Sequence, residues 1–212
     1  MRFRVDDEFE MVDGLKNVYL CKILNIEEQT LIYQPVDKYE DNSEMPVRVT
    51  IVCPMLKGEK FEWMLQKSTE LGASEFIIYE ADRSIVKLDD KKKEKKLIRY
   101  RKVIKEASEQ SKRTVIPEIY FDGKLKQLDL SGFDHAVIAY EGNADDESLS
   151  LNRLEKFNDG VSLAFIFGPE GGLTEGEAGF DRGLKTVRLG PRILRAESAP
   201  LYFLSSMSYI YE

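Results

Sequence analysis

Residues 161–177 read VSLAFIFGPEGGLTEGE, an apolar run that ends abruptly in a glycine-rich turn. A short apolar run bounded by glycine is typical of a strand buried on both faces of a sheet. Beyond the turn, Thr174 and Glu177 fit the S/T-x-x-E pattern that caps the start of a helix. The stretch therefore predicts a buried strand, a tight turn at residues 168–172 and a helix that begins near Thr174.

The same rhythm of strand, loop and helix extends through most of the chain. Apolar or β-branched runs predict strands at 47–54, 76–79, 119–121, 136–140 and 186–189, and helical spacing predicts helices at 59–71, 90–111 and 201–211. Short apolar strands separated by helices are typical of an α/β fold with an open, mostly parallel sheet that is covered on both sides. Ligands of such sheets bind at the carboxyl ends of the strands. We therefore expect the site in the loops that follow residues 140, 167 and 189.

The first 45 residues have a different pattern. Alternating apolar residues on either side of Asp13-Gly14 predict a hairpin, and residues 30–34 predict a third short strand. The polar stretch 35–46 is typical of a linker. The sequence thus predicts a small β domain at residues 1–45 and an α/β domain at residues 46–212.

The charge of the chain is unevenly distributed. The net charge is −7, yet the segment from Arg83 to Arg113 holds thirteen lysines and arginines against five acidic residues. An overall acidic chain is not expected to coat nucleic acid indiscriminately, whereas the basic segment can form a local phosphate-binding face. The alternative is a solvated helix face, and charge alone does not choose between the two.

Several classes of function are disfavoured by composition. Cys21 and Cys53 lie far apart and are expected in the core, so neither a disulfide framework nor a metal site is predicted. His135, the only histidine, precedes an apolar run as a strand-entry residue does, which argues against a catalytic triad. No apolar run has the length of a membrane helix, and the acidic start does not resemble an export signal.

Three loops carry candidate chemistry. Residues 168–172 lack the Gly-Lys-Ser/Thr of a phosphate loop and the G-x-G-x-x-G of a dinucleotide loop, so the glycines serve either a purely structural turn or the close approach of a ligand. Residues 189–199 (LGPRILRAESA) offer two arginines and a glutamate, either as an ion-pair network or as the wall of a pocket. Glu141 follows the strand at 136–140 and should lie beside the other two loops.

These motifs, taken together, resemble the ribosomal small subunit methyltransferase E family of the SPOUT superfamily. The resemblance rests on Lys67-Ser-Thr-Glu-Leu-Gly72, on Glu106-Ala-Ser-Glu-Gln-Ser111 with Arg113 and Pro117, on Gly-Pro-Glu-Gly-Gly, and on Leu-Gly-x-Arg-Ile-Leu-Arg-x-Glu-Ser-Ala. It implies a deep trefoil knot, a homodimer and a small amino-terminal PUA- or OB-like barrel that binds RNA. It also implies methylation of N3 of one uridine in the 16S rRNA of the 30S subunit, in the cytoplasm, with S-adenosylmethionine (S-adenosyl-L-methionine) as cofactor. Relative to the family pattern the barrel is expected to be truncated, because the early strands are missing from this sequence.

The resemblance also assigns roles to residues. The expected cofactor-binding residues are Glu141, Gly168, Gly171, Gly172, Leu189, Gly190, Ile193 and Leu194. The expected RNA contacts are Lys67, Arg83, Arg113 and Arg192. Because N3 of uridine carries a proton at neutral pH, we expect Arg195 or Arg113 to stabilise the developing anion and Glu170 or Glu197 to orient or accept the proton. Neither a metal ion nor a membrane is expected to take part.

Some alternatives stay open at this point. Lys67 and Glu70 are one helical turn apart and can equally be a structural ion pair, and Gln110 can be a dimer contact. The fold alone does not fix the acceptor, so another knotted RNA methyltransferase remains a competing hypothesis. A non-catalytic RNA-binding relative is the alternative from another class, and it would bind the cofactor without turnover.

Overall fold

The computed structural model describes residues 3–28, 30–40, 43–83, 89–140, 151, 156–179 and 184–211. The chain divides into two compact units, which are described separately. The first consists of Met1–Glu44 with Lys112–Val115, and the second consists of Met45–Ser111 with Ile116–Glu212.

The first unit contains an antiparallel sheet of order β1-β2-β3, formed by β1 (Glu8–Val12), β2 (Val18–Glu27) and β3 (Thr30–Tyr39). The β1–β2 turn is fixed by the Asp13 carboxylate, which accepts hydrogen bonds from the backbone amides of Leu15 and Asn17. The prediction of a linker from residue 35 was wrong, because β3 continues to Tyr39. Pro35 is tolerated there because β3 lies at the edge of this sheet and the register shifts next to Pro35's partner, Cys21.

The second unit is an α/β unit with a six-stranded sheet of order β6-β5-β4-β8-β7-β9, in which every strand pair is parallel. The predicted parallel α/β sheet is therefore confirmed. Its elements in chain order are β4 (Arg48–Pro54), α1 (Lys60–Glu70), β5 (Ala73–Glu80), α2 (Asp90–Gln110), β6 (Glu118–Lys124), β7 (His135–Ala139), β8 (Ser162–Phe167), β9 (Lys185–Val187) and α3 (Ala199–Tyr211).

The strand β8 is buried along its whole length, as its apolar sequence predicts. Its side chains alternate between two core clusters, with Leu163, Phe165 and Phe167 in one and Ala164 and Ile166 in the other. The two clusters lie on opposite faces of the sheet. Cys53 is a free, buried core residue of β4, and Cys21 is likewise free and buried in the first unit, as the sequence predicted.

The helices α1, α2 and α3 contribute to the same core cluster. Phe61 of α1 contacts Tyr100 of α2 with ring centroids 4.8 Å apart, and Phe203 of α3 stacks on Phe165 of β8 at 4.0 Å. Phe203 is fully buried. Tyr209, by contrast, is 89% exposed.

The opposite face was expected to carry helices as well, but in the described part of the chain its cluster is completed by turns and loops. Leu125 and Leu128 come from a 3-10 turn (Leu125–Gln127) and the loop that follows it. This connection leads from β6 to β7, four strand positions away, a distance of about 19 Å. A helix of its ten residues would span only about 15 Å, so the chain crosses this face in a more extended form.

The helix expected after Thr174 is also absent from the described residues 171–179, which form turns. The capping hydrogen bonds themselves are present. The Glu177 amide donates to the Thr174 hydroxyl at 3.2 Å, and the Thr174 amide donates to the Glu177 carboxylate at 3.0 Å. Gly176 lies within this turn and Gly179, with φ +71°, follows it, and both glycines disfavour a helix.

Candidate functional site

The loops that follow β7, β8 and β9 meet at the carboxyl edge of the sheet and line one cavity. Because these strands are neighbours in the order β8-β7-β9, their carboxyl ends lie side by side. The cavity has a volume of about 690 Å³, within the usual range for small-molecule sites. Its walls are residues 139–140, 167–170, 172–173, 187–197 and 199, with Lys60 from α1.

The loop after β8 is folded tightly on itself. The amide of Gly172 donates to the carbonyl of Pro169 at 2.9 Å, and Gly172 has φ +71°. A Cβ atom on Gly168 would lie 2.9 Å from the Cγ atom of Leu173 and 3.0 Å from its backbone nitrogen. Because the backbone cannot yield as a flexible side chain does, this position requires glycine, and the backbone of the loop is brought directly to the cavity.

The loop after β9 depends on a second glycine. Gly190 has φ +105°, a conformation that L-amino acids with a side chain rarely adopt. The Arg188 side chain donates from Nε to the Gly190 carbonyl at 3.2 Å and holds the turn. Ile193 is 94% exposed although it lines the cavity, so this apolar side chain stands at the cavity's open rim.

A buried carboxylate lies in the same loop. Glu197 is in a 3-10 turn (Ala196–Ser198), is 8% exposed, and has one oxygen 3.0 Å from the Nζ atom of Lys60. Burial raises the pKa of Glu197, but hydrogen bonds from its own amide and from Lys60, with the charges of Lys60 and Arg195, outweigh burial and leave the pKa below its ordinary value of 4.5. Glu197 is therefore ionised at neutral pH.

Among the described residues, those that line the cavity carry an excess of positive charge. Four cationic side chains line it, against the carboxylates of Glu170 and Glu197: Lys60, Arg188, Arg192 and Arg195. The Arg195 side chain is 80% exposed, and its guanidinium lies 4.0 Å from the Glu197 carboxylate. A site of this kind can attract an anionic ligand and stabilise negative charge that develops during a reaction.

The structure brings most of the predicted site residues together. Those that line the cavity are Gly168, Glu170, Gly172, Leu189, Gly190, Arg192, Ile193, Leu194, Arg195 and Glu197. Gly171 belongs to the same loop but is not among the cavity-lining residues, and a Cβ there would meet the side chain of Arg83 at 3.5 Å. Glu141 lies outside the described residues.

Arg113, for which a catalytic or RNA-binding role was predicted, is buried in the first unit and forms an ion pair there. It belongs to the first unit, is 6% exposed, and donates through Nε and Nη2 to the two carboxylate oxygens of Glu44 at 3.2 and 2.5 Å. The same carboxylate accepts the backbone amides of Thr114 and Val115. Its guanidinium therefore has a structural partner within the first unit.

Two of the predicted RNA contacts also have partners within the protein. The Nζ atom of Lys67 lies 2.9 and 2.8 Å from the oxygens of Glu70, so the structural ion pair considered above is present. Arg83 donates from Nη1 to the carbonyl of Gly171 at 2.9 Å.

The basic segment is largely balanced by acidic neighbours. Six basic side chains of α2 lie within 4.0 Å of a carboxylate: Lys92, Lys93, Arg99, Arg101, Lys102 and Lys105. Gln110, considered as a dimer contact, lines a groove between α1 and α2 with Trp63 and Gln66. The ion pairs favour a solvated helix face for much of α2.

Sequence reasoning missed two charged residues of the cavity wall, Lys60 and Arg188, and the role of a buried carboxylate next to the glycine-rich loop, Glu177. Lys60 gives no signal, since a lysine at the start of a helix is unremarkable until its partner is known. Arg188 precedes the quoted Leu-Gly motif directly. Glu177 was noticed only as a capping residue, although it is 3% exposed and also accepts the amide of Asp82 at 2.7 Å.

The described residues form neither a cluster of metal ligands nor a membrane-spanning helix. Within those ranges, no group of three or more histidine, cysteine, aspartate or glutamate side chains is arranged to hold a metal ion. No helix in the described part of the chain combines the length and the apolar character needed to cross a bilayer.

The sequence of this chain is similar to those of known RNA methyltransferases. Residues 43–208 match the RNA methyltransferase domain family. The ribosomal RNA small subunit methyltransferase E of Bacillus subtilis is 42% identical over 198 residues, which cover 89% of this chain and 76% of that protein.

Two solved structures are also similar. A methyltransferase from Legionella pneumophila with bound S-adenosylmethionine is 26% identical with a TM-score of 0.85. The ribosomal RNA small subunit methyltransferase E of Neisseria gonorrhoeae, also bound to S-adenosylmethionine, is 25% identical with a TM-score of 0.83. In both cases the match covers 98% of this chain and 85% of the other.

Proposed function

The chain belongs to the ribosomal RNA small subunit methyltransferase E family, and we propose that it methylates N3 of one uridine in 16S ribosomal RNA. S-adenosylmethionine is the methyl donor in this reaction. The observation that carries the proposal is the cavity at the carboxyl edge, in which the two most specific motifs of the sequence form adjoining walls.

The residues of the cavity fit this cofactor. Its volume of about 690 Å³ suits a ligand of that size, and its walls combine glycine backbone, aliphatic side chains and positive charge. The residues that would hold the cofactor are Gly168, Gly172, Leu189, Gly190, Ile193 and Leu194. The cationic side chains suit the carboxylate of its methionine part. When bound, the cofactor supplies an activated methyl group, so the protein needs mainly to orient the acceptor and exclude water.

The charges at the cavity suggest how the uridine is activated. Loss of the N3 proton leaves negative charge on the base, which a nearby cation stabilises. Arg195 suits this role, because its guanidinium is exposed at the cavity. Glu197 is a weak proton acceptor, since its pKa is lowered, and it suits orientation of Arg195 instead. Glu170 is exposed, lines the cavity, and is the better candidate to accept the proton.

Binding of RNA is assigned to several surfaces. Arg192 lines the cavity, and Arg83 lies beside the glycine-rich loop, so both are proposed to contact the RNA near its target base. Lys67 on α1 is a further candidate whose ion pair with Glu70 an RNA phosphate would have to replace. The β-sheet of the first unit is proposed as part of an RNA-binding PUA- or OB-like domain. Arg113 is proposed to support that unit through Glu44.

The remaining proposals rest on family membership. We place a deep trefoil knot in the second unit, and we propose that the protein is a homodimer. We place the reaction in the cytoplasm, where bacterial 30S subunits are assembled.

The decisive experiment is calorimetric titration of the purified protein with S-adenosylmethionine. Methyl transfer to 30S subunits that lack the modification is then measured in the same preparation, and the product nucleoside is identified by mass spectrometry. Cofactor binding with transfer to uridine N3 is the expected result.

Other outcomes separate the alternatives. Transfer to a different base or to a ribose hydroxyl would point to another RNA methyltransferase activity. Binding without transfer to subunits or to free rRNA would favour the non-catalytic relative. Absence of binding would contradict the assignment of the cavity to the cofactor.

A further inference from the structure

The buried carboxylate of Glu177 joins two loops at the carboxyl edge of the sheet. One oxygen accepts the backbone amide of Asp82 at 2.7 Å, in the loop after β5. The other accepts the backbone amide and the hydroxyl of Thr174, both at 3.0 Å, at the end of the loop after β8. Both oxygens are thus used, and each is bonded to a different loop.

Arg83 provides a second connection between the same loops. Its Nη1 atom donates to the carbonyl of Gly171 at 2.9 Å and lies 3.5 Å from the carbonyl of Leu173. The aliphatic part of its side chain covers Gly171, where an added Cβ would meet it at 3.5 Å. The two connections therefore flank Gly172 and Leu173, which both line the cavity.

The strands below these loops are not neighbours. The sheet order places β4 between β5 and β8, so both connections span the end of a strand that contributes to neither loop. The hydroxyl of Tyr79, near the end of β5, bridges the same gap by donating to the carbonyl of Phe167 at 2.8 Å. β5 and β8 do not pair with each other, so at their carboxyl ends it is side-chain hydrogen bonds that join them directly.

A carboxylate in this position is costly unless its oxygens are well bonded. Glu177 is 3% exposed, and among the described residues no lysine or arginine forms an ion pair with it. Three neutral donors compensate for its burial, and an ionised acceptor makes each of these hydrogen bonds stronger than a neutral pair. The arrangement fixes the positions of Asp82 and Thr174 relative to each other.

We propose that Glu177 and Arg83 are positioning residues that hold the loop of residues 168–173 in the shape that binds the methyl donor. The inference rests on the proposed function, because it takes the cavity as the cofactor site. Neither side chain lines the cavity, so both act through the loop.

The test is the isosteric substitution Glu177→Gln, with Glu175→Gln as the matched control, since Glu175 lies in the same segment but is exposed. An amide replaces one acceptor oxygen with a donor that faces Asp82 or Thr174. We expect the Kd for S-adenosylmethionine to rise about tenfold in Glu177→Gln, the effect of one lost hydrogen bond to a charged group. Glu175→Gln should bind as the wild type does.

Kinetics separate positioning from a general loss of folded protein. Loss of folded enzyme lowers kcat and leaves KM for the cofactor unchanged. Loss of loop geometry raises KM and leaves kcat at saturating cofactor near the wild-type value. Hydrogen exchange adds a local readout, in which the amides of Asp82 and Thr174 should exchange faster in Glu177→Gln alone.

If Glu177→Gln fails to fold, Arg83→Gln tests the proposal instead. The Arg83 side chain is largely at the surface, so its substitution should leave the protein folded. Its Kd for the cofactor should rise about threefold, whereas Arg101→Gln, at an exposed site on α2, should have no effect. An unchanged Kd in the folded variants, beside a wild type that binds, overturns this inference alone. A wild type that does not bind the cofactor overturns the proposed function and this inference together.

Discussion

The Nζ atom of Lys60, the first residue of α1, lies 3.0 Å from a carboxylate oxygen of Glu197, in the turn that precedes α3. The two residues are far apart in sequence, and each belongs to an element that packs on the same face of the sheet. The contact closes one wall of the cavity and keeps a buried carboxylate charged. It makes the stability of this wall dependent on pH.

Lys60→Met should therefore destabilise the protein in a pH-dependent way. The lowered pKa of Glu197 means that its ionised form stabilises the fold above the ordinary carboxyl pKa of 4.5 and that this contribution is lost as the pH falls through the lowered value. Removing Lys60 weakens that contribution, so the two proteins should differ most near neutral pH and converge in acid. Urea unfolding across the acidic range measures this. Lys95→Met, at an exposed site, should show no such trend, and a difference independent of pH would contradict the role of the ion pair.

Arg195→Ala tests the proposed stabilisation of the uridine anion. Removing one preorganised positive group should lower the single-turnover rate of methyl transfer about a hundredfold, while the protein stays folded. Arg195→Lys keeps the charge and should recover part of the rate. Arg192→Ala, in the same loop, should weaken RNA binding but leave the rate at saturating RNA unchanged. An unchanged single-turnover rate in Arg195→Ala would exclude this role.

Gly190→Ala should destabilise the loop after β9. At φ +105° a side chain costs about 1–3 kcal/mol, and the new Cβ would lie 3.4 Å from the Tyr202 hydroxyl. Because Gly190 lines the cavity, weaker cofactor binding should accompany the lower unfolding free energy. Gly132→Ala is the control, since open space surrounds that position, and it should change stability by less than about 0.5 kcal/mol. Equal stability of the two variants would argue against the strained turn.

Glu44→Ala should destabilise the first unit. It removes the carboxylate that accepts hydrogen bonds from Nε and Nη2 of the buried Arg113 guanidinium, and breaking a fully buried ion pair costs about 3–5 kcal/mol, with a smaller cost here because Glu44 is partly exposed. Arg113→Met removes the charge itself and should cost less than Glu44→Ala. Thermal unfolding distinguishes this order. If Arg113→Met instead abolished methyl transfer with unchanged stability, Arg113 would have a catalytic role.

Much of the fold follows from local sequence, and its exceptions have identifiable causes. The strand β8 and the helix α1 were predicted because their apolar spacing reflects burial directly. The end of β3 was missed because proline and acidic residues resemble a linker unless the strand is known to be at an edge. The extended crossing from β6 to β7 depends on the sheet order, which no local pattern contains.

The features of the site likewise include some that the sequence predicted and some that it did not. Gly168 and Gly190 were identified through the family resemblance, and the structure shows that each stands at a turn that favours glycine. The partners of Lys60 and Arg113 were not predicted, since each pairs with a carboxylate that is distant in sequence. The sequence predicted the loops that line the cavity, but only the tertiary contacts show which of their cations lie close to carboxylates.

The sheet order also bears on how this chain is made on the ribosome. Its central pairing joins β4 to β8, so that Ile51 lies opposite Phe165. While the intervening residues are still being synthesised, β4, β5 and β6 can associate, but β4 then presents an unpaired apolar edge. Nascent chains stalled before β8 should therefore recruit chaperones or aggregate, and the emergence of β8 should end that exposure. The strand that leads to the glycine-rich loop of the cavity is thus also the strand that covers the apolar edge of the half-built sheet.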